Sequence, residues 1–329
     1  MAQANIHSAY HVPVLADQTA AAMKLSPEDF AVDCTTGGGG HSAMILKQLG
    51  EGGTLLCLDK DQDALDEALP VLSELAQQRG VRLVGRKADF RDLQTVLEEE
   101  ALGRPDLILA DIGISSYQVD EAERGFSYMQ DGPLDMRMDR TQGASAADLI
   151  NTLETDELAS IFREYGEERY SARIARRITE RRTKAPFTRT LDLADTIRAA
   201  LPAAARHEAQ HPAKRSFQAL RIAVNQELQA LDDLLEAVPQ AIAEGGRLLV
   251  ISFHSLEDRR VKQTFRKWED PCECPAALPC VCGQKPLGRA EGRSGYTAAP
   301  DELEANPRAR SARLRVFAFS SPRVNAPNT

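Results

Sequence analysis

The sequence has few aromatic residues and lacks any long uninterrupted apolar run. Of its 329 residues, 43% are hydrophobic but only 5% are aromatic, with a single tryptophan. This composition is typical of an Ala/Leu-rich α/β or α protein, and the length allows one large domain or two smaller ones. No apolar run approaches the roughly 20 residues that a membrane-spanning helix needs, and no basic-then-apolar segment opens the chain. We therefore expect a cytoplasmic protein.

An overall excess of basic charge is also missing. The net charge of −9 argues against a general nucleic-acid coat protein. The charge is nevertheless uneven, because residues 163–189 carry nine basic and four acidic side chains, and residues 306–315 carry four arginines and no acid. Such local basic faces are compatible with a structured RNA partner, although solvated helix faces would give the same pattern.

The segment from Phe30 to Asp59 is the most informative part of the chain. An apolar run that ends in Asp33 precedes the glycines 37–40, and a helical pattern then leads to a second apolar run that ends in Asp59. A strand, a glycine loop and a helix that opens at the loop form half of a nucleotide site. An acid at the end of the second strand is placed to accept hydrogen bonds from ribose hydroxyls.

The residues around these glycines narrow the choice of ligand. No lysine follows them, which argues against a phosphate-binding P-loop. Gly38, Gly40 and Ala43 satisfy the dinucleotide pattern G-x-G-x-x-G/A, but Asp33 would repel a pyrophosphate and attract a cation. S-adenosylmethionine fits better, because it has a ribose, a sulfonium, an ammonium and no phosphate. An NAD(P)-dependent oxidoreductase and a non-catalytic RNA-binding protein remain the alternatives.

The order of strand and helix patterns predicts the fold. Apolar strands alternate with helices up to Asp111, which indicates a parallel sheet covered on both faces. An irregular stretch and purely helical patterns follow, including one long helix over Lys214–Val238, and strand patterns return at 247–252 and 314–319. A helix over 61–78 is expected to kink or split at Pro70. We predict a Rossmann-like core with an inserted helical domain, divided into residues 1–111 (core), 112–212 (loop and helical insertion for substrate recognition), 213–321 (core) and 322–329 (flexible tail).

The six cysteines fall into two kinds. Cys34 and Cys57 lie in apolar strand contexts and are expected to pack as small hydrophobic residues. The other four form the pattern C-x-C-x5-C-x-C in the loop 271–283. In a reducing cytosol such a cluster suggests structural zinc rather than disulfides, although the spacing is tighter than usual. The predicted zinc ligands are Cys272, Cys274, Cys280 and Cys282.

Several longer motifs together indicate a family. They are Asp33 with 37–42, the block 111–139, and the segments 211–225, 251–259 and 306–311. With these motifs, the chain resembles the bacterial 16S ribosomal RNA cytosine-N4-methyltransferase family over nearly its whole length from His11. The resemblance implies a class I methyltransferase core and methyl transfer from S-adenosylmethionine to the exocyclic N4 of one cytidine in the decoding region. The implied partner is 16S rRNA within the small ribosomal subunit, and a homodimer remains an open alternative.

The resemblance also implies a set of cofactor contacts. The chain departs from the family pattern at Tyr117, where proline is expected. Asp111 ends the fourth predicted strand at the carboxyl edge, where open parallel sheets place their sites. Asp111, or a neighbouring backbone carbonyl, is our candidate catalytic acceptor for the hydrogens of the cytosine amino group. The cofactor contacts carried over by motif are Gly39, Gly40, His41, Asp59, Phe90, Asp111 and Gln118.

Basic and aromatic residues of the helical region are candidates for RNA contacts. Three arginines at i, i+4 and i+8 share one face of a predicted helix, and Phe126, Tyr128 and Phe217 are rings available for stacking. His254 is expected at a strand end on the same edge as Asp111, just before a helix that Ser255 would cap. The predicted substrate contacts are Arg173, Arg177, Arg181, Lys214, Arg215, Phe217 and His254.

Overall fold

A computed structural model describes residues 13–207, 210–275 and 281–320 of the chain. The chain divides into two compact units, one made of residues 1–113 and 230–329 and the other of residues 114–229. The predicted tail 322–329 lies outside the described residues. Within the described ranges, none of the helices has the length and apolar character needed to cross a membrane.

The described elements alternate strand and helix in the first unit and are helical in the second. The strands are β1 (Phe30–Asp33), β2 (Thr54–Asp59), β3 (Arg82–Lys87), β4 (Leu107–Asp111), β5 (Arg247–Ser252), β6 (Gly288–Tyr296) and β7 (Arg313–Phe319). The α-helices are α1 (Ala16–Met23), α2 (Gly40–Gln48), α3 (Gln62–Arg79), α4 (Leu93–Glu99), α5 (Ser116–Asp120), α6 (Ala146–Thr152), α7 (Thr155–Glu164), α8 (Ser171–Arg182), α9 (Thr190–Ala200), α10 (Lys214–Asn225), α11 (Glu227–Ala241), α12 (Ser255–Glu269) and α13 (Pro300–Ala305).

The first unit is built on one sheet with the strand order β3-β2-β1-β4-β5-β7-β6. Strands β1 to β5 are parallel, whereas β7 runs antiparallel between β5 and β6. The order 3-2-1-4-5 is that of a doubly wound sheet, which binds its ligand beyond the carboxyl ends of the strands. The predicted Rossmann-like core is therefore present, with an antiparallel pair added at one edge.

Alternate residues of β4 show why this sheet is covered on both faces. Ile108 and Ala110 are buried in an apolar cluster with residues of α4, α11 and α12. Leu107 and Leu109 point the other way, into a cluster with residues of α1, α2 and α3. A strand buried on both faces has a continuous apolar sequence, as predicted. Helix α3 continues through Pro70, so the predicted split is wrong.

The second unit has its own helical core. Phe162, Ile174, Phe187 and Phe217 are buried in one cluster to which α6, α7, α8, α9 and α10 all contribute. Because the apolar face of α10 belongs to this cluster, the second boundary falls after residue 229 and not at 212. The predicted single helix over Lys214–Val238 is wrong, since Gln226 adopts a left-handed conformation (φ 51°) between α10 and α11.

Candidate active site

Three strands of the first unit end in an aspartate at the carboxyl edge of the sheet. Asp33 ends β1, Asp59 ends β2 and Asp111 ends β4. Because β1 lies between β2 and β4 in parallel register, the three acids belong to neighbouring strand ends. The edge predicted from the sequence to hold the site therefore carries a concentration of carboxylates.

Asp33 is fully buried and ties the end of β1 to α2. Its Oδ2 accepts a hydrogen bond from Ser42 Oγ at 2.6 Å, and its Oδ1 accepts one from the backbone N–H of Thr35 at 3.1 Å. Burial raises the pKa of Asp33 to about 6, against the lowering effect of these hydrogen bonds. The group therefore keeps a negative charge at neutral pH at an energetic cost that a cationic ligand would offset.

Asp59 holds the glycine loop through backbone hydrogen bonds. Its Oδ2 accepts from the N–H of Gly37 at 2.8 Å and its Oδ1 from the N–H of Asp61 at 2.9 Å. Each carboxylate oxygen can accept a further bond, so ligand hydroxyls can still be recognised here. Burial raises the pKa of Asp59 to about 6. The side chain that caps α3 is that of Asp61, which accepts from the N–H of Asp63.

The glycine loop has little room for side chains. Gly39 precedes α2 with φ +78°, a conformation that favours glycine. A Cβ atom on Gly39 would lie 3.3 Å from Ala68 Cβ, and one on Gly40 would lie 3.2 Å from Pro13 Cβ. A side chain at Gly39 would therefore press against α3, and one at Gly40 would press against Pro13.

Asp111 and His41 meet at this edge. Nδ1 of His41 lies 3.5 Å from Oδ2 of Asp111, while Nε2 lies 3.1 Å from the carbonyl oxygen of Val14. Burial lowers the pKa of His41 to about 4. Burial, followed by the charges of Asp33 and Glu257, raises the pKa of Asp111 well above its ordinary value. The other carboxyl oxygen, Oδ1, is buried without a hydrogen-bond partner among the described residues.

Glu257 is a buried acid near Asp111 that the sequence analysis missed. Its Oε2 accepts from the backbone N–H of Phe253 at 2.8 Å, and its side chain forms a capping box with His254 at the start of α12. Nε2 of His254 lies 2.9 Å from Oε1 of Glu257. The predicted cap Ser255 is therefore wrong by one residue, because His254 is the N-cap of α12. The partly buried side chain of His254 takes part in this cap, and its contact with substrate stays a prediction.

Two further predicted cofactor residues, Phe90 and Gln118, have packing or capping roles in the structure. Phe90 opens a short 3₁₀ turn, Phe90–Asp92, and packs partly buried against the apolar cluster that includes α4 and α12. Gln118 is buried in the second unit, where its Oε1 accepts from the N–H of Ser115 at 3.1 Å in the capping box of α5. This capping role was not among the sequence-based expectations for Gln118.

Only part of the predicted basic face of α8 is exposed for contact with RNA. Arg173 and Arg177 are exposed, as the helical spacing predicted. Arg181, by contrast, forms an ion pair with Asp192 and donates to the carbonyl of Ala185. It also lies over the ring of Phe187, with its Cζ atom 4.3 Å from the ring centroid. The structure gives Arg181 a role that the sequence did not predict, because its guanidinium joins α8 to α9.

The predicted stacking rings also divide into two kinds. Phe126 and Phe217 are buried in the helical core. The burial of Phe217 argues against the predicted contact of its ring with the substrate. Tyr128 is partly buried and stacks on His211, with ring centroids 4.7 Å apart and an interplanar angle of 20°. Phe217 supports this stack from beneath with an edge contact to Tyr128, at 5.7 Å between centroids.

A cleft of about 340 Å³ opens beside this stack within the second unit. Lys214 and Arg215 are both exposed at the start of α10, and Arg215 lines the cleft. Arg169 lies over the Tyr170 ring at 4.6 Å from the centroid. Cationic and flat side chains in one cleft are the combination that holds phosphates and unstacked bases. The lining residues are Glu168, Arg169, Tyr170, Leu201, Ala205, Gln210, His211, Pro212 and Arg215.

Comparison with known proteins decides the family. The model of the MraW methylase family matches residues 8–320. Ribosomal RNA small subunit methyltransferase H of Symbiobacterium thermophilum is 49% identical over 308 residues, which cover 93% of this chain and 96% of that protein. The protein of the same name from Heliobacterium mobile is 50% identical over 309 residues, covering 93% and 98%. The chain belongs to the MraW methylase family.

Membership in the MraW methylase family confirms the resemblance stated from the motifs and the prediction of a methyltransferase. The sheet and the helical unit confirm the predicted fold, a Rossmann-like methyltransferase core with an inserted helical domain. Neither the nicotinamide-dependent oxidoreductase nor the non-catalytic RNA-binding protein finds support among the relatives.

The described cysteine residues of this methylase form the two groups that the sequence predicted, one buried and one clustered in a loop. Cys34 and Cys57 are buried in the apolar clusters of the sheet. The Sγ atoms of Cys272, Cys274 and Cys282 lie within 4.8 Å of one another in the loop between α12 and β6. Cys280, the remaining predicted zinc ligand, lies outside the described residues.

Proposed function

We propose that this methylase transfers the methyl group of S-adenosylmethionine to the exocyclic N4 of a cytidine in the decoding region of 16S rRNA. It acts in the cytoplasm, on the small ribosomal subunit. The observation that carries the proposal is the family match over residues 8–320. Relatives that are 49% and 50% identical are named as small-subunit rRNA methyltransferases. The carboxylate-rich edge of the sheet supports the cofactor part of the proposal independently.

The donor set of this edge fits S-adenosylmethionine. When bound, this cofactor supplies an electrophilic methyl group on a positively charged sulfur. Asp33 and Asp59 have pKa values of about 6, so both are mostly ionised at neutral pH and favour a cationic ligand. Asp59 would accept hydrogen bonds from the ribose hydroxyls with its remaining lone pairs.

The glycine loop would hold the amino-acid end of the cofactor. Gly39 and Gly40 lead into α2, whose first backbone N–H groups have no partners inside the helix and carry the positive end of the helix dipole. A ligand carboxylate is stabilised at such a helix start. His41 would contribute through its position beside Asp111 rather than through charge, because its pKa of about 4 keeps the ring neutral.

Asp111 would act on the cytosine amino group. This nitrogen is a poor nucleophile because its lone pair is conjugated into the ring. An ionised Asp111 that accepts from the amino hydrogens would increase the electron density on nitrogen, and it would take the proton that the nitrogen loses when it is methylated. A nearby cation favours the ionised form. Most of the acceleration comes from holding the two reacting atoms in line.

The helical unit would bind the RNA. Arg173 and Arg177 on α8 and Lys214 and Arg215 on α10 are exposed cations for phosphate contacts. The Tyr128–His211 stack offers a flat surface for a base that has left its helix. A zinc ion held by the cysteines of the loop between α12 and β6 would have a structural role, and it would take no part in methyl transfer.

The direct experiment combines the pure protein, labelled S-adenosylmethionine and small ribosomal subunits isolated from cells that lack the enzyme. We expect label in 16S rRNA, on one cytidine, and mass mapping of the nucleosides should place the methyl on N4. Subunits that already carry the methyl group serve as the control and should take up no label. Label on another base or on protein, or no transfer at all, would contradict the proposal.

A further inference from the structure

Three thiols of the loop between α12 and β6 have the spacing of ligands around one ion. The Sγ atoms of Cys272 and Cys282 are 3.8 Å apart, and Cys274 Sγ lies within 4.8 Å of both. Zinc–sulfur bonds of about 2.3 Å in a tetrahedron place neighbouring sulfurs about 3.8 Å apart. A disulfide would need about 2.05 Å. The observed distance therefore matches two ligands of a common metal.

We propose that Cys272, Cys274 and Cys282 bind one structural zinc ion. Thiolates are soft ligands that select zinc among the divalent metals of a reducing compartment. The backbone N–H of Val281 lies 3.4 Å from Cys274 Sγ and donates to it, which stabilises a thiolate there and orients it. Structural zinc sites take four ligands, and the three described thiols supply three of them.

The ends of this loop are fixed by packing, whereas its described cysteines Cys272 and Cys282 are exposed. At its carboxyl end the N–H of Leu287 donates to the carbonyl of Trp268 at 2.9 Å, and Trp268 packs edge-on against Phe317 at 5.2 Å between centroids. Between these anchors Cys272 and Cys282 are exposed, and the side chain of Val281 is 89% exposed. No described apolar side chain of this middle segment is buried, so the metal takes the place of a core.

The test measures zinc in tag-free protein. We expect about one zinc per chain, retained through dialysis without chelator. Cys272→Ser, Cys274→Ser and Cys282→Ser should each weaken zinc affinity by about tenfold or more in competition with a chromogenic chelator. Val281→Ser is the matched control, because it changes an exposed side chain of the same loop, keeps the backbone donor and should keep wild-type affinity.

Two further readouts separate zinc binding from a general loss of folding. Cobalt-substituted protein should show tetrahedral d–d bands and a thiolate-to-cobalt charge-transfer band, both abolished in the cysteine variants. Zinc removal should speed cleavage after the exposed Glu273 by a glutamate-specific protease, while S-adenosylmethionine binding and circular dichroism confirm that the variant is folded. Equal zinc content in the triple serine variant would overturn the proposal. A metal-free protein with a Cys272–Cys282 disulfide, seen as a decrease of two hydrogens in mass, would also overturn it.

Discussion

His41 Nδ1 lies 3.5 Å from Asp111 Oδ2 and thereby brings the first turn of α2 to the end of β4. The carbonyl of Val14, 3.1 Å from Nε2, can only accept, so we infer that Nε2 carries the proton of the neutral ring. Nδ1 then has a lone pair that faces the carboxyl group of Asp111. This contact favours a protonated Asp111 in the ligand-free protein, the same direction in which burial and the charges of Asp33 and Glu257 raise its pKa.

The affinity for S-adenosylmethionine should depend on pH through this carboxylate cluster. Asp33 and Asp59 have pKa values of about 6, so the cluster gains negative charge as the pH rises through 6. We expect the Kd of S-adenosylmethionine to fall by about tenfold between about pH 5 and 7. S-adenosylhomocysteine, whose sulfur is neutral, should change less and serves as the matched ligand in calorimetry. Parallel pH curves for the two ligands would contradict a charge-based recognition of the sulfonium.

Asp33→Asn should stabilise the ligand-free protein while it weakens cofactor binding. The pKa of Asp33 is raised from 3.8 to about 6, so its favourable contribution to folding is present below about pH 4 and is lost as the pH rises through 6. Asparagine keeps groups that can pair with Ser42 and Thr35 but carries no charge. We expect the free energy of unfolding at pH 8 to rise by up to about 3 kcal/mol.

Urea unfolding at pH 8 and pH 4 measures this effect. The gain should be present at pH 8 and nearly absent at pH 4, because Asp33 is protonated there in the folded wild-type protein as well. Glu28→Gln, which removes one charge from an exposed side chain, is the control and should change neither stability nor affinity. A decrease in stability at pH 8 in the Asp33 variant would mean that its hydrogen bonds outweigh its desolvation.

Most of the parallel core could be predicted from the sequence because β1, β2 and β4 are apolar runs that end in an aspartate. Asp33, Asp59 and Asp111 were placed correctly at strand ends for that reason. β6 has no such signal, since its sequence GRAEGRSGY holds three glycines and mostly polar residues. It exists as an edge strand because β7 pairs with it. The break at Gln226 was also invisible, because the amphipathic pattern continues on both sides of it.

Site residues could be predicted where a suitable residue type lies at a strand end. They could not be predicted where packing in the folded structure determines which groups a side chain contacts. Phe217 and Arg181 have the residue types of RNA contacts, but the helical core and Asp192 engage them instead. His211 was missed because only the fold brings its ring onto Tyr128. Glu257 was missed because its spacing to His254 is that of an ordinary capping box, whereas its influence on Asp111 arises across neighbouring strand ends.

Asp111→Asn should abolish most turnover while cofactor binding persists. Asparagine has nearly the same size, but it cannot take the proton from the amino nitrogen. We expect the single-turnover rate to fall by about 100-fold or more, with the Kd of S-adenosylmethionine changed by less than about tenfold. Quench-flow methylation of small subunits gives the rate, and calorimetry gives the Kd. A variant that methylates at the wild-type rate would remove Asp111 from the reaction.

Arg181 should affect stability more than RNA binding. Arg181→Ala removes the ion pair with Asp192, the bond to the carbonyl of Ala185 and the packing over Phe187. We expect the free energy of unfolding to fall by about 1–3 kcal/mol, since these interactions join α8 to α9. RNA affinity, measured well below the unfolding midpoint, should stay near the wild-type value. A large decrease in RNA affinity with unchanged stability would return Arg181 to the RNA-facing row.

Arg173 and Arg177 should contribute to RNA affinity through phosphate binding. Both are exposed on α8, and the double substitution to glutamate replaces two cations that could neutralise phosphates. We expect weaker binding to 16S rRNA fragments and a shallower dependence of log K on log salt, by roughly one unit for each phosphate that is no longer neutralised. The matched control is the double substitution Arg82→Glu with Arg104→Glu, which makes the same change in charge. Both residues are exposed and lie near the amino ends of β3 and β4, away from the carboxyl edge of the sheet. If control and test variants are weakened equally, net charge rather than the α8 face governs binding. If the test variant keeps its salt slope, Arg173 and Arg177 do not bind phosphates.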